Sequence, residues 1–344
     1  MDGRYDPVES PDETTVFPYH DLTPPTTDDV RRARDVVDQY LPQTPLVRSE
    51  TLSAELDADV YLKREDTLPT GAFKVRGGVN LVSSLDDAFR DRGLITASSG
   101  NHGQSIAWAG REFDVPVTIG VPEDANPGKV ASMERLGATV IQHGPDYDAA
   151  REHIEGIAVA EGARYVHSGN EPKLVAGVGT AGLEVVDQLP EVDRLFCPVG
   201  GGTSAAGYCL TVAELTDADV VGVQSAAAPA MYHAWTDGTL APHDRMETMA
   251  EGVATRVPFA LTMGVLGDGL SDFRLVSEDA LRESVARLFR DERIVAEGAC
   301  ATAVAAALDA GAEIAGETVV IPISGRNIDA SKLRRILDES DADA

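Results

Sequence analysis

Short apolar runs alternate with amphipathic segments along most of the chain after Pro45, and this alternation limits the fold more than any other feature. Val60–Leu62, Leu94–Ala97, Val115–Val121, Thr139–Ile141, Leu195–Cys197, Asp219–Val223 and Thr318–Ile323 read as strands. Segments of helical period lie between and after them: Lys74–Leu85, Asn101–Glu112, Pro127–Leu136, Tyr147–Ala160, Thr180–Gln188, Ser204–Leu215, Asp279–Arg290 and Ala299–Leu308. Thr27-Asp28-Asp29 can cap a helix running to Gln39. Strands that alternate with helices form parallel sheets covered on both faces, so the expected class is α/β. In such folds ligands bind beyond the carboxyl ends of the strands. That directs attention to the segments following Ala97, Cys197 and Ile323.

Those segments are rich in glycine and serine. Pro198-Val199-Gly200-Gly201-Gly202-Thr203-Ser204 follows one strand and opens a helix. Its glycines allow backbone N–H groups to approach an anion, and a phosphate is the natural guest. It has neither the lysine of a P-loop nor the spacing of a dinucleotide fingerprint. Ser98-Ser99-Gly100-Asn101-His102-Gly103-Gln104 suits a carboxylate, with Asn101 a donor to an oxygen on a flat ring and Ser99 a proton donor or acceptor. His102 reads as more structural than catalytic. Ser324-Gly325-Arg326-Asn327 places a hydroxyl where a ring nitrogen can meet it. Upstream, Thr70-Gly71-Ala72-Phe73-Lys74-Val75-Arg76-Gly77-Gly78 carries one lysine in a half-apolar setting. Burial lowers a lysine pKa and frees the amine to attack a carbonyl. Lys63-Arg64-Glu65-Asp66 reads as a solvated charge cluster after a strand. The histidines show no metal-ligand spacing, and no catalytic metal is expected.

Composition narrows the classes. With 344 residues and 43% hydrophobic content the chain can build two domains or one large one. No run approaches the roughly 18 apolar residues of a membrane span, and the acidic, Pro-rich start lacks the basic and apolar regions of a secretory signal. A net charge of −28 repels nucleic acid and anionic membranes. The acids are dispersed, and the lysines are Lys63, Lys74, Lys129, Lys173 and Lys332 alone. Such a surface fits a halophilic cytoplasm, where salt screens self-repulsion. Cys197, Cys209 and Cys300 have no redox or metal spacing and read as core residues.

Taken in order, the lysine, asparagine, glycine and serine segments resemble the threonine dehydratase and serine racemase family of enzymes that use pyridoxal 5′-phosphate (PLP), the fold-type-II group. The resemblance runs from about Pro45 to Asp329 and also takes in His167-Ser168-Gly169-Asn170, Gly177-Val178-Gly179-Thr180 and Glu251-Gly252-Val253-Ala254. It implies two three-layer αβα domains with mainly parallel sheets. Residues 28–78 with 147–330 would form a large PLP-binding domain and 79–146 a small mobile one. Residues 1–27 would be an irregular arm and 331–344 a C-terminal helix or tail. A homodimer is also implied.

The same resemblance implies the roles. Lys74 would form the internal aldimine and act as base at Cα, and Phe73 would pack near the cofactor. Asn101 would bond the ring hydroxyl; Ser98, Ser99, Asn101 and His102 would surround the substrate carboxylate. Ser99 is similar to the serine that exchanges a proton on the opposite ring face in racemases. Gly200, Gly201, Gly202 and Thr203 would hold the phosphate, and Ser324 would face the pyridine nitrogen. A serine there leaves the ring largely neutral, a weaker electron sink that favours expulsion of a β-hydroxyl. Three positions depart from the pattern: Thr203 replaces a fourth glycine, Arg326 a glycine, and Gln224 a metal-binding glutamate of some relatives.

The implied activity is an ammonia-lyase that dehydrates L-threonine and L-serine to a 2-oxo acid and ammonia. Serine racemase uses the same constellation. Dehydration of another β-hydroxy amino acid stays open. Threonine synthase is disfavoured, because Val75 stands where an Asp usually follows its lysine. A non-catalytic PLP-binding relative is disfavoured by the intact Lys74, Asn101 and Ser324.

Overall fold

The computed structural model describes residues 16–17 and 22–342, the side chains of 341 and 342 excepted. Most of the expected irregular arm therefore lies outside the described residues. The strands are β1 Leu46–Arg48, β2 Asp59–Lys63, β3 Leu94–Ala97, β4 Val117–Val121, β5 Thr139–Gln142, β6 Arg164–Tyr165, β7 Arg194–Pro198, β8 Asp219–Ser225, β9 Asp272–Val276 and β10 Thr318–Pro322. They form two sheets, one of six strands in the order β1-β2-β10-β7-β8-β9 and one of four in the order β5-β4-β3-β6. Every pairing is parallel except β1 with β2. The α/β class with mainly parallel sheets is thus as expected.

The central strands explain why the sequence reads as unbroken apolar runs. Val319, Val320 and Ile321 of β10 are fully buried, as strands covered on both faces must be. The Ala-rich helix Gly298–Ala310 packs on β7 and β10 and is buried nearly throughout; small side chains let it lie close to the sheet. Several elements have no period strong enough to be read in advance: β1, β6, β9, and the helices Glu50–Leu56, Asp87–Arg92, Ala230–Asp237 and Ala260–Gly269.

The second sheet extends beyond the boundary expected at residue 146. Helix Tyr147–Glu161 packs on β3 and β4, and β6 joins the sheet beside β3. The chain leaves the large sheet through helix Val75–Ser83 and returns through helix Pro172–Gln188. These two helices cross at bare backbone. A Cβ on Gly77 would lie 2.8 Å from Leu174 O, and one on Gly177 would lie 2.6 Å from Arg76 O. No side chain larger than hydrogen fits at that crossing, which fixes the helix that begins next to Lys74.

Beneath the crossing, Lys63-Arg64-Glu65-Asp66 is not the solvated cluster expected from its charge. Lys63 and Glu65 are fully buried, as is Arg76. The Arg76 guanidinium binds Glu65 Oε2 at 2.7 Å and Glu184 Oε1 at 2.7 Å, and donates to Thr180 Oγ1 at 3.1 Å. Lys63 Nζ lies 2.6 Å from Glu184 Oε2 and donates to Thr44 O and Gln188 Oε1, both at 2.9 Å. Thr44 Oγ1 donates to Glu65 Oε1 at 2.6 Å. Burial works to raise the Glu184 pKa, but Arg76 and Lys63 outweigh it and hold the carboxyl below its usual range. Two cations and two anions, all hydrogen-bonded, tie β2, helix Val75–Ser83 and helix Pro172–Gln188 together.

Candidate active site

Lys74 is the N-cap of helix Val75–Ser83. The turn before it is zipped to the segment after β10: Phe73 N donates to Ser324 O at 3.0 Å, and Arg326 N to Gly71 O at 2.9 Å. Ala72 and Gly325 form an antiparallel bridge. The pairing sets Lys74 beside Ser324 although 250 residues separate them in sequence. Lys74 Nζ lies 3.3 Å from Thr203 Oγ1 and 4.9 Å from the Phe73 ring centroid. Burial pulls the Lys74 pKa down from the usual lysine value to about 8, against an opposing pull from Glu297.

Two adjoining hollows meet at Lys74 and Asn101. The smaller, about 40 Å³, is lined by Phe73, Lys74, Asn101, Gly200 to Ser204, Gly252, Val253, Glu297, Ala299 and Ser324. The larger, about 540 Å³, is lined by Ser98, Ser99, Gly100, Asn101 and His102 on one side and by Gly201, Met249, Thr255 and Phe259 on the other. Every residue expected from the sequence to hold the cofactor lines the smaller hollow. Ser98, Ser99 and His102 line the larger one. The smaller hollow fits a phosphate. Gly202 has φ +83° at the N-cap of helix Thr203–Tyr208. A Cβ on Gly200 would sit 2.1 Å from Gly252 O, and one on Gly201 2.5 Å from a Phe259 ring carbon. The loop accordingly keeps bare backbone against its surroundings, with Ser324 buried at the far end.

The geometry sorts the remaining residues. His102 Nε2 is 3.0 Å from Thr96 Oγ1 and 3.4 Å from Val166 O. Burial and the nearby Lys74 charge lower its pKa to about 3, so the ring stays neutral and is held by the small sheet. Arg326 is exposed, and its side chain covers Gly71; it lines neither hollow. Gln224 Oε1 accepts from Met231 N and Tyr232 N, both at 3.1 Å. It thus caps helix Ala230–Asp237, and its amide nitrogen, a donor, has no partner among the described residues. An amide so turned does not fit the divalent-cation site that a glutamate would build there. Among the described residues, no three or more His, Cys, Asp or Glu side chains come together as a metal site. Cys197, Cys209 and Cys300 are free and buried.

Sequence reasoning gave no role to Glu297 or Asn327. Asn101 Nδ2 donates to Glu297 Oε1 at 2.8 Å and Oε2 at 3.1 Å, while Asn327 Nδ2 donates to Asn101 Oδ1 at 2.6 Å. The signal available was an acid set between Ala296 and Gly298 at the head of an apolar helix, where a solvated side chain is out of place. Across the cavity mouth, Lys129 pairs with Glu251, Lys332 Nζ reaches Glu251 Oε1 at 3.2 Å, and Asn126 Nδ2 donates to Asp329 Oδ2 at 3.1 Å. This clasp joins the helix Pro127–Arg135 to the large sheet's loops.

Two measurements follow from this geometry. The rate at which apo-protein takes up PLP covalently is expected to climb about tenfold per pH unit below pH 8 and level off above it, since only the neutral amine attacks. A rate still climbing at pH 10 would mean that Lys74 titrates like an exposed lysine. Gly200→Ala is expected to weaken PLP binding by roughly tenfold or more, because its methyl must displace the Gly252 backbone. Equilibrium binding followed by cofactor absorbance reads this directly.

Comparison with known proteins agrees with the geometry. Residues 37–325 match the family model described as pyridoxal-phosphate dependent enzyme. An L-threonine ammonia-lyase of Thermotoga maritima is 34% identical over 91% of this chain and 78% of its own length. The processed form of threonine deaminase isoform 2 from Solanum lycopersicum superposes with a TM-score of 0.86 at 28% identity, covering 92% of this chain and 95% of that one. Serine racemase from Dictyostelium discoideum superposes at 0.83 with 29% identity, covering 89% and 99%. With its lysine at the meeting of a phosphate-sized hollow and a larger cavity, and with the family match spanning most of its length, the chain belongs to the pyridoxal-phosphate dependent enzymes of the fold-type-II group.

Proposed function

We propose that the protein is an ammonia-lyase that dehydrates L-threonine, and L-serine with it, to a 2-oxo acid and ammonia. The observation that carries this is Lys74 Nζ, placed where both hollows meet and 3.3 Å from Thr203 Oγ1. Bound PLP supplies an electron sink for the charge left at Cα when its proton departs. Lys74 anchors the cofactor and, as a neutral amine, takes that proton. Gly200, Gly201, Gly202 and Thr203 would hold the phosphate, Asn101 would offer an N–H to the ring oxygen, and Ser324 would meet the ring nitrogen. The amides opening helix Asn101–Glu112, together with Ser98 and Ser99, hold the substrate carboxylate. Loss of the Cα proton and of the β-hydroxyl, which takes up a proton and departs as water, leaves an enamine, which a second water converts to the oxo acid and ammonia.

Serine racemization is the second reading, favoured by Ser99 lining the same cavity as Lys74. The unit around the small sheet closes on the large one to exclude water. A halophilic cytoplasmic setting is supported by the dispersed acids and scarce lysine, and a homodimer by the family resemblance. No helix among the described residues is long and apolar enough to cross a membrane.

The test uses purified protein with PLP at high salt, given L-threonine, L-serine and D-serine separately. Oxo acid and ammonia from L-threonine are expected. Inversion of serine outpacing elimination would replace the lyase reading with the racemase.

A further inference from the structure

Glu297 is a carboxylate inside the cofactor site for which the sequence motifs provide no task. It lines both hollows. On one side it accepts from Asn101 Nδ2 with both oxygens, at 2.8 and 3.1 Å. On the other its backbone N donates to Gly325 O at 3.1 Å, next to Ser324, and a Cβ on Gly325 would come within 2.6 Å of Glu297 Oε1. Asn327 completes the arrangement: its Nδ2 donates to Asn101 Oδ1 at 2.6 Å and to Thr70 O at 2.9 Å.

An asparagine amide has an acceptor end and a donor end, and its neighbours decide which end faces a guest. Here Asn327 occupies one lone pair of the acceptor end and Glu297 takes one amide hydrogen. These two bonds set the orientation of the amide and leave its second N–H as the free donor. Hydrogen bonds to ionised groups are stronger and shorter than neutral ones, so the carboxylate holds this orientation more firmly than a neutral acceptor would.

We propose that Glu297 is a positioning residue for the cofactor, committing the Asn101 amide, with Asn327, to offer a donor and not an acceptor to the ring oxygen. This rests on the reading of the site as a PLP site. The same carboxylate is the charge that works against the desolvation of Lys74. Burial raises the Glu297 pKa above the usual carboxylate value; the hydrogen bonds from Asn101 and Asn327 and the charge of Lys129 pull it back down, and Glu251 adds to the rise. Removing the Glu297 charge therefore has a second, independent effect: it lets the Lys74 amine lose its proton at lower pH.

Glu297→Gln is nearly the same size but lacks the charge. Its expected phenotype is PLP affinity reduced roughly tenfold or more, together with a downward shift in the pH midpoint of covalent uptake. The apo-protein melting temperature should stay that of the wild type. Glu297→Asp, which keeps the charge, should retain the wild-type midpoint and recover part of the affinity. The proposal is overturned if the glutamine variant binds PLP as tightly as the wild type. It is equally overturned if lost affinity comes with an unmoved midpoint, or with a matching fall in apo-protein stability in both variants, since the residue would then only support the fold. Wild-type protein that fails to bind PLP would instead bring down the reading of the site itself, and this inference with it.

Discussion

Replacing Lys74 with alanine is expected to leave the fold intact and to reduce turnover by roughly 10⁴-fold, the upper end of what a positioned base contributes. The absorbance band of covalently held PLP should vanish with it. The lysine does not hold the structure together. It stands at a helix N-cap without a side-chain capping bond, and its nitrogen has one weak hydroxyl partner. The scaffold that fixes it lies in the neighbouring backbone, in the zipped pairing of residues 71–73 with 324–326 and in the glycine crossing of helices. Circular dichroism and melting temperature should thus match the wild type while activity is lost. Retained oxo-acid release by the alanine variant would sink the assignment of Lys74.

The second large effect is on stability. Arg76→Met is expected to destabilise the protein by about 3–5 kcal/mol, because it leaves Glu65 and Glu184 buried with Lys63 as their sole cation. That is a large share of the roughly 5–15 kcal/mol by which a folded domain exceeds its unfolded state. Removing one partner from a buried network costs far more than the net worth of the intact network, since the remaining charges lose compensation. Denaturant unfolding of the two proteins measures the difference. A loss under about 1 kcal/mol would mean that water reaches the site and that the burial of Arg76 is not maintained in solution.

The sequence disclosed the fold where local pattern and final environment agree. Leu94–Ala97 and Asn101–Glu112 occur as read, because an apolar run ended by Ser-Ser-Gly and a helix opened by Asn are both set by local chemistry. Helix Pro172–Gln188 begins eight residues earlier than the periodicity suggested. From Leu174 to Val185 it is buried all round, which removes the polar face that makes a helix visible. The charge cluster at Lys63 misled for the opposite reason: its partner Glu184 lies 121 residues away, and nothing local reveals the pairing. The same limit applies at the site. Lys74, Asn101, Gly200 to Thr203 and Ser324 lie in recognisable segments. Glu297 meets Asn101 across 196 residues of sequence, and the contact becomes visible only when the chain brings them together.

The clasp across the cavity mouth and the network beneath Lys74 are both built from opposite charges, yet a change of solvent treats them differently. Glu251, shared by Lys129 and Lys332, is more than half exposed, and in molar salt the reach of such a charge shrinks to about 3 Å. The Arg76 network is sealed from ions. Salt is therefore expected to weaken the pairs at the rim and to leave the network beneath the reactive amine as it is.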